Sequence, residues 1–207
     1  MKRMVTDRRS AVSPPITLRQ RKKQATARVI VDAAYELFAT KGYDVVTVER
    51  IADSASVSPR TVYRYFPTKA AIVFELQASW MSVFRAAAAQ QVRGKQVRAE
   101  QVMTTLRRSA GAVAMHVQSN PAQALVAYRI TERSPELQAM SLNWEREWRE
   151  AVATVAGSWE RSRALPMAGA VMGMISSVLE LWLENRGEDD LIEMIQQGFV
   201  ALETGWR

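Results

Sequence analysis

The chain has 207 residues, 48% of them apolar, which is enough to bury a substantial core. It holds no cysteine and one histidine, His116. That excludes disulfides, a thiol nucleophile and any metal site built on cysteine or on two histidines. The net charge of +7 is unevenly placed: residues 1–70 carry 14 Lys and Arg against 6 Asp and Glu, a net of +8, while residues 71–207 carry 14 against 15, a net of −1. A basic first third joined to a near-neutral remainder suits a nucleic-acid-binding module attached to a domain with another task.

Met1 to Leu18 is polar, basic and broken by Pro14-Pro15, and is expected to be a disordered tail. It lacks the apolar run of a signal peptide, so a soluble cytoplasmic protein is expected. Arg8, Arg9, Arg19, Arg21, Lys22 and Lys23 are placed either to add phosphate or minor-groove contacts or to serve as plain solubilising charge. Ile30, Ala33, Ala34, Leu37 and Phe38 form one stripe, which predicts a helix from Gln24 to Thr40 closed by Gly42.

The stretch from Thr47 to Lys69, TVERIADSASVSPRTVYRYFPTK, predicts a helix-turn-helix. Thr47 is a good N-cap, and behind it Val48, Ile51, Ala52 and Ala55 recur at helical spacing. Ser56 and Val57 fall in the turn. Ser58 caps a second short helix, and Pro59 opens it where a missing N–H costs nothing. Val62 and Phe66 face inward; Arg60, Thr61 and Arg64 face outward. The result is a helix tip of arginine and hydroxyls with no acid, suited to base edges and phosphates in a major groove. Pro67 ends the run, and Thr68 caps a long helix expected to reach about Val92, with Ile72, Val73, Leu76, Trp80, Val83 and Phe84 inward.

Arg93 to Arg98, with Gly94, reads as a loop. Helices are then predicted over Val102–Val117, from Asn120-Pro121 to Ile130, and from Ser134-Pro135 to Trp159. Trp144 and Trp148, four residues apart, either fill the core or line a pocket. Leu165 to Leu183 is the most apolar stretch and carries Gly169 and Gly173 in a GxxxG spacing. Its length alone would span a bilayer. Ser176, Ser177 and Glu180 interrupt it, so it reads instead as a helix buried on two sides, with no membrane partner. Gly187 closes it, and Leu191, Ile192, Ile195, Phe199 and Val200 stripe a last helix. Two adjacent apolar helices at the end of the chain suggest a homodimer built as a four-helix bundle. No cofactor, catalytic set or metal site is expected. The expected fold is all-α, with a disordered basic tail at 1–18, a three-helix DNA-binding domain at 19–70 and a larger helical domain for ligand binding and dimerisation at 71–207.

Ala33-Ala34, Leu37-Phe38, Gly42-Tyr43, Thr47-Val48, Ile51-Ala52, Val57-Ser58, Thr61-Val62-Tyr63, Tyr65-Phe66 and Lys69 together resemble the N-terminal domain of TetR-family regulators. The family usually has glycine where this chain has Ser56. The resemblance implies that Arg60 and Arg64, with Ser58, Pro59 and Thr61 beside them, read bases, and that Thr47, Tyr63, Tyr65 and Lys69 hold phosphates. One of the two tyrosine rings is also suited to the small core. The run YRITERSPELQAM from Tyr128, with Leu181-Trp182-Leu183, resembles the acyl-CoA-like ligand-binding subgroup. It implies an apolar ligand with an anionic head. The candidate wall is Phe84, Met103, His116, Tyr128, Trp144 and Trp148, with Met81, Met115 and Met172, and Arg129 or Arg133 is the candidate for the head group. The expected function is a homodimeric repressor on a palindromic operator in double-stranded DNA, released by a small apolar effector. The alternatives are a small ligand-binding protein or enzyme with an incidental basic start, and a DNA binder without sequence preference.

Overall fold

The computed structural model of the protein describes residues 17–92, 97–157 and 159–205. The expected tail falls outside these residues except for Thr17 and Leu18, as does most of the loop expected at Arg93–Arg98. Among the described residues there are nine α-helices, one 3-10 turn and no strand: α1 (Leu18–Lys41), α2 (Val48–Ser54), α3 (Pro59–Tyr65), α4 (Lys69–Val92), the turn Ala99–Gln101, α5 (Val102–Gln118), α6 (Pro121–Arg133), α7 (Pro135–Val155), α8 (Arg161–Glu184) and α9 (Leu191–Thr204). The fold is all-α, as the periodicity predicts.

The helix expected to end at Ile130 continues to Arg133, and two larger boundary differences have local reasons. The first helix starts six residues before Gln24, because Thr17 and Gln20 form a capping box: the Thr17 hydroxyl accepts from the Gln20 N–H (3.2 Å) and the Gln20 side chain accepts from the Thr17 N–H (2.8 Å). Two otherwise orphaned donors are satisfied, so the polar start can be helical. The helix expected to run to Trp159 ends at Val155, and Ala156 and Gly157 turn the chain into α8. The remaining caps follow their residues. Ser58, Asn120, Ser134 and Asp190 each accept from a first-turn N–H, and Pro59, Pro121 and Pro135 each stand at the start of a helix. Gly42 leaves α1 at φ +85°. Ser56 holds the turn of the helix-turn-helix at φ +54°, a left-handed conformation that costs a non-glycine residue about 1 kcal/mol.

The helices enclose two apolar clusters. The head cluster takes Ile30, Ala34 and Phe38 from α1, Ile51 and Ala52 from α2, Val62 from α3 and Ile72, Val73 and Phe74 from the first turns of α4. It is completed by Ile130 of α6 and Leu137 of α7, so the head core is closed by helices from the other half of the chain. The body cluster collects Trp80 and Phe84 of α4, Leu106 of α5, Val152 of α7, Val171 and Trp182 of α8, and Leu191 and Phe199 of α9. Helix α4 therefore serves both cores, the first turns in one and the later turns in the other. Among the described residues helix α8 alone is long and apolar enough to cross a membrane. In this fold it packs against α7 and α9, and its Trp182, fully buried, donates its indole N–H to the Asp189 carbonyl (2.9 Å).

Candidate functional site: a DNA-reading head and an apolar cavity

The head is built so that α3 is held from below and open above. Val62 and Phe66 anchor it in the head core, while Arg60, Tyr63 and Arg64 point to solvent. The Ser58 hydroxyl accepts from the Thr61 N–H (3.1 Å) and lies 2.9 Å from the Thr61 hydroxyl, which fixes the leading end. Pro59, Arg60 and Thr61 form that end. Of the two tyrosines, Tyr65 is half-buried and packs against the head core, whereas Tyr63 is exposed. Thr47 caps α2, accepting from the Arg50 N–H at 3.4 Å.

Lys69 has a structural role that its sequence position did not disclose. Its ammonium donates to the carbonyls of Tyr43 (2.7 Å) and Val46 (3.1 Å) and sits 4.0 Å from the centre of the Tyr43 ring. Two of its three donors are thus committed to the link between α1 and α2. Burial pulls the Lys69 pKa down, against the opposing pull of Asp44 and Glu136. The Tyr43 hydroxyl is pushed up to about 12, first by burial and then by Glu136 and Asp44. Glu136 belongs to α7, so the body's electrostatic influence reaches the base of the head.

The body encloses a cavity of about 220 Å³ between α4, α5, α7, α8 and α9. Phe84, Trp144 and Trp148 line it as expected, with Met172. The sequence reading missed Gln77, Trp80, Val113, Ile175 and Leu179, and the polar rim of Ser141, Glu145 and Ser176. Trp80 stood in the predicted apolar stripe of α4, so a signal for it existed; Gln77 carried none. Its side-chain oxygen accepts from the Trp148 indole at 3.3 Å, which satisfies a buried donor in an apolar wall. The Phe84 and Trp148 rings meet edge to face, 5.7 Å apart.

Five expected wall residues lie elsewhere, among them Met81, which is buried but does not line the cavity. Helix α5 turns Ala110, Val113, Ala114 and Val117 to the cavity, which carries His116 off that face. His116 Nε2 instead meets the Ser79 hydroxyl (2.9 Å) in the seam between α1, α4 and α5. Ser109 donates to the Thr105 carbonyl (2.8 Å) and takes no part in that pair. Met103 and Tyr128 pack on the outside of the body cluster, and Met115 is exposed and does not line the cavity. Arg129 and Arg133 face the α1–α2 link beside Lys41 and Asp44, so neither reaches the cavity. Among the described residues Glu145 is the one charged group on its wall.

One cavity residue touches both halves of the molecule. The Trp144 ring stacks on Phe74, with centroids 6.2 Å apart and planes 10° from parallel. Phe74 is buried in the head cluster, and Trp144 packs against the same cluster while lining the cavity.

Residues 30–76 match the family model of bacterial regulatory proteins of the tetR family, and residues 100–207 match that of the MftR C-terminal domain. The chain is 28% identical over 193 residues to MftR of Mycobacterium tuberculosis, named as a mycofactocin biosynthesis transcriptional regulator, covering 89% of this chain and 93% of that protein. It is 42% identical over 52 residues to the HTH-type transcriptional regulator YdeS of Bacillus subtilis, spanning about a quarter of either protein (25% and 26%). The crystal structure of the regulator FadR from Bacillus subtilis in complex with stearoyl-CoA has the same fold, with a TM-score of 0.65 and 21% identity, covering 87% of this chain and 99% of that one.

Proposed function

The chain belongs to the TetR family of bacterial transcriptional regulators, with a C-terminal domain of the MftR type, and from that premise we propose that it is a homodimeric repressor released from a palindromic operator by a small apolar ligand. In this reading the leading end of α3 enters the major groove, with Arg60 and Thr61 against base edges. Ser58 and Pro59 shape that end, and Thr47, Tyr63, Tyr65 and Lys69 set the head on the phosphates. Lys69 does so with its remaining donor. Helices α8 and α9 form the subunit interface. The middle of the outer face of α8 carries small residues, Ala170, Gly173 and Ser177, and open space faces Gly169 and Gly173, so a second copy can approach closely there. Two heads related by a two-fold axis require half-sites about one helical turn apart or a multiple of it. The protein is soluble and cytoplasmic in this reading, and its role is binding without a reaction.

The observation that carries the regulatory part is the double placement of Trp144. A ligand that fills the cavity must contact Trp144, and through it Phe74, which belongs to the head core. A ligand shifts the balance between DNA-competent and released states only by its difference in affinity for the two. A wall shared with the head core supplies a physical source for that difference. Four aromatic side chains from α4 and α7, Trp80, Phe84, Trp144 and Trp148, around an apolar interior suit an alkyl or aromatic ligand. The stearoyl-CoA held by the Bacillus subtilis regulator makes acyl thioesters the first class to try.

The test is fluorescence anisotropy with labelled DNA from upstream of the protein's own coding region, against a scrambled duplex at fixed salt. A preference of about a thousandfold establishes sequence-specific binding. Acyl-CoA thioesters of increasing chain length are then added to the complex. Release that depends on chain length supports the cavity as the effector site, and equal operator affinity across a broad panel of apolar compounds counts against it.

A further inference from the structure

Beside the recognition helix lies a second basic surface. Resting on the reading of the head as a DNA reader, we propose that the groove between the first turns of α1 and the last turn of α3 is a track for the DNA sugar-phosphate backbone, and that Arg64 works in this track rather than on base edges.

The groove is lined by Arg19, Lys22, Lys23 and Thr26 of α1 and by Arg64 and Tyr65 of α3, with Leu18 at its end. No acid lines it. The four α1 residues stand at spacings of three, four and seven, which places them on one face of a helix. They do so only because the Thr17–Gln20 capping box makes the start of α1 helical; an unstructured arm would scatter the same charges. Among the described residues none of the groove's four cations, Arg19, Lys22, Lys23 and Arg64, forms an ion pair, so their charge is open to a partner. Cations repeated along one face of α1 fit a polyanion whose charges repeat along a line.

Arg64 is the joint between this groove and the reading helix. Arg60 and Arg64 are four residues apart and share the outer face of α3, yet Arg60 does not line the groove and Arg64 does. The Arg64 guanidinium lies 5.4 Å from the centre of the Tyr65 ring, a half-buried ring that also lines the groove. This contact draws the guanidinium toward the flank of α3 that faces α1. The leading end of α3, with Arg60 and Thr61, is left to read bases. Phosphate contacts made from two helices would fix the angle at which α3 lies in its groove.

The experiment measures affinity for the operator and for a scrambled duplex, each across a salt series, with Arg64→Ala, Arg64→Lys, Arg60→Ala and the double variant Lys22→Ala with Lys23→Ala. A backbone track predicts that Arg64→Ala and the lysine double variant weaken both duplexes by the same factor. The slope of log K against log salt should become shallower by about 0.9 for each cation removed. Arg64→Lys should recover most of the loss, since a phosphate accepts either cation, whereas a bidentate base contact does not. The proposal is overturned if Arg64→Ala and Arg64→Lys both lose preference at one base position of the operator, or if the salt slopes do not change. Wild-type protein that binds the two duplexes equally would sink the sequence-specific reading above, while the slopes on either duplex still decide the track.

Discussion

The head and the body solve the same packing problem with different ranges of contact. In the head, residues within about fifty positions of one another, from Ile30 to Phe74, make most of the core, and the body closes it with the buried Ile130 and Leu137 and with Trp144 packed against it. In the body, the cavity wall is drawn from five helices between Gln77 and Ile195. A reading head must present one surface in one geometry, so local caps and turns define it. A ligand chamber must enclose space, and only distant helices can do that. The two meet at Trp144, Phe74 and Leu137, and the difference between them can be tested there.

The largest effect is expected from Leu137→Ala. This side chain is fully buried and comes from α7, yet it sits in the head core. Its loss should cost about 2–5 kcal/mol of unfolding free energy in urea titrations. Leu106→Ala, equally buried in the body cluster, should cost a similar amount. Only the Leu137 variant should also weaken operator binding at temperatures where the protein is folded. Equal operator affinity in both folded variants would show that the body does not support the head.

Trp144→Ala comes next. It should leave the wild-type operator preference in place but reduce ligand-driven release at least tenfold, which is about 1.4 kcal/mol of coupling. Trp148→Ala should weaken ligand binding without that separate loss of coupling, because its indole bonds to Gln77 and its ring meets Phe84, neither of which lies in the head core. If the two variants behaved alike, the route through Phe74 would be wrong.

A smaller, stabilising change is expected from Ser56→Gly. Relief of the left-handed conformation should contribute about 1 kcal/mol, a rise of about 2–4 °C in Tm for a chain of this size. Ligand affinity should not move. The smallest effect lies at the alkaline end. Because the Tyr43 pKa is raised to about 12 in the fold, its contribution to stability is complete below pH 10 and is lost as pH climbs toward 12. Lys69 has the opposite sign: its lowered pKa makes stability rise with pH in the window below its ordinary value. Tyr43→Phe should therefore flatten the fall above pH 10 in thermal melts and leave the lower part of the curve unchanged.

The legibility of the two regions follows their contact range. Thr47, Ser58, Pro59, Val62 and Phe66 announce a cap, a helix start and an inner face within a single stretch, and the structure builds α2 and α3 on those residues. The turn at Ser56 was readable because the residues on either side require one. The capping box of Thr17 and Gln20 was also present in the sequence, and reading it would have placed the start of α1 correctly and its basic face with it. Phe84, Trp144 and Trp148 were placed in the wall because large aromatic residues at helical spacing must be inside something. His116 and Arg129 were misplaced because periodicity shows that a residue has an inner or outer face, but not which neighbour that face meets.

What the amino-acid sequence determined by itself was the all-helical architecture, the helix-turn-helix and its basic surroundings. Apolar period, N-caps and proline positions act over a few residues, and their energies do not depend on the rest of the chain. Tertiary structure alone decided which helices enclose the cavity, that Glu145 stands on its rim, and that Lys69 spends two donors inside the head. It also decided that Trp144 and Leu137 carry the body into the head core. Those outcomes depend on how α4 to α9 cross, and crossing geometry is set by the summed packing of side chains far apart in the chain.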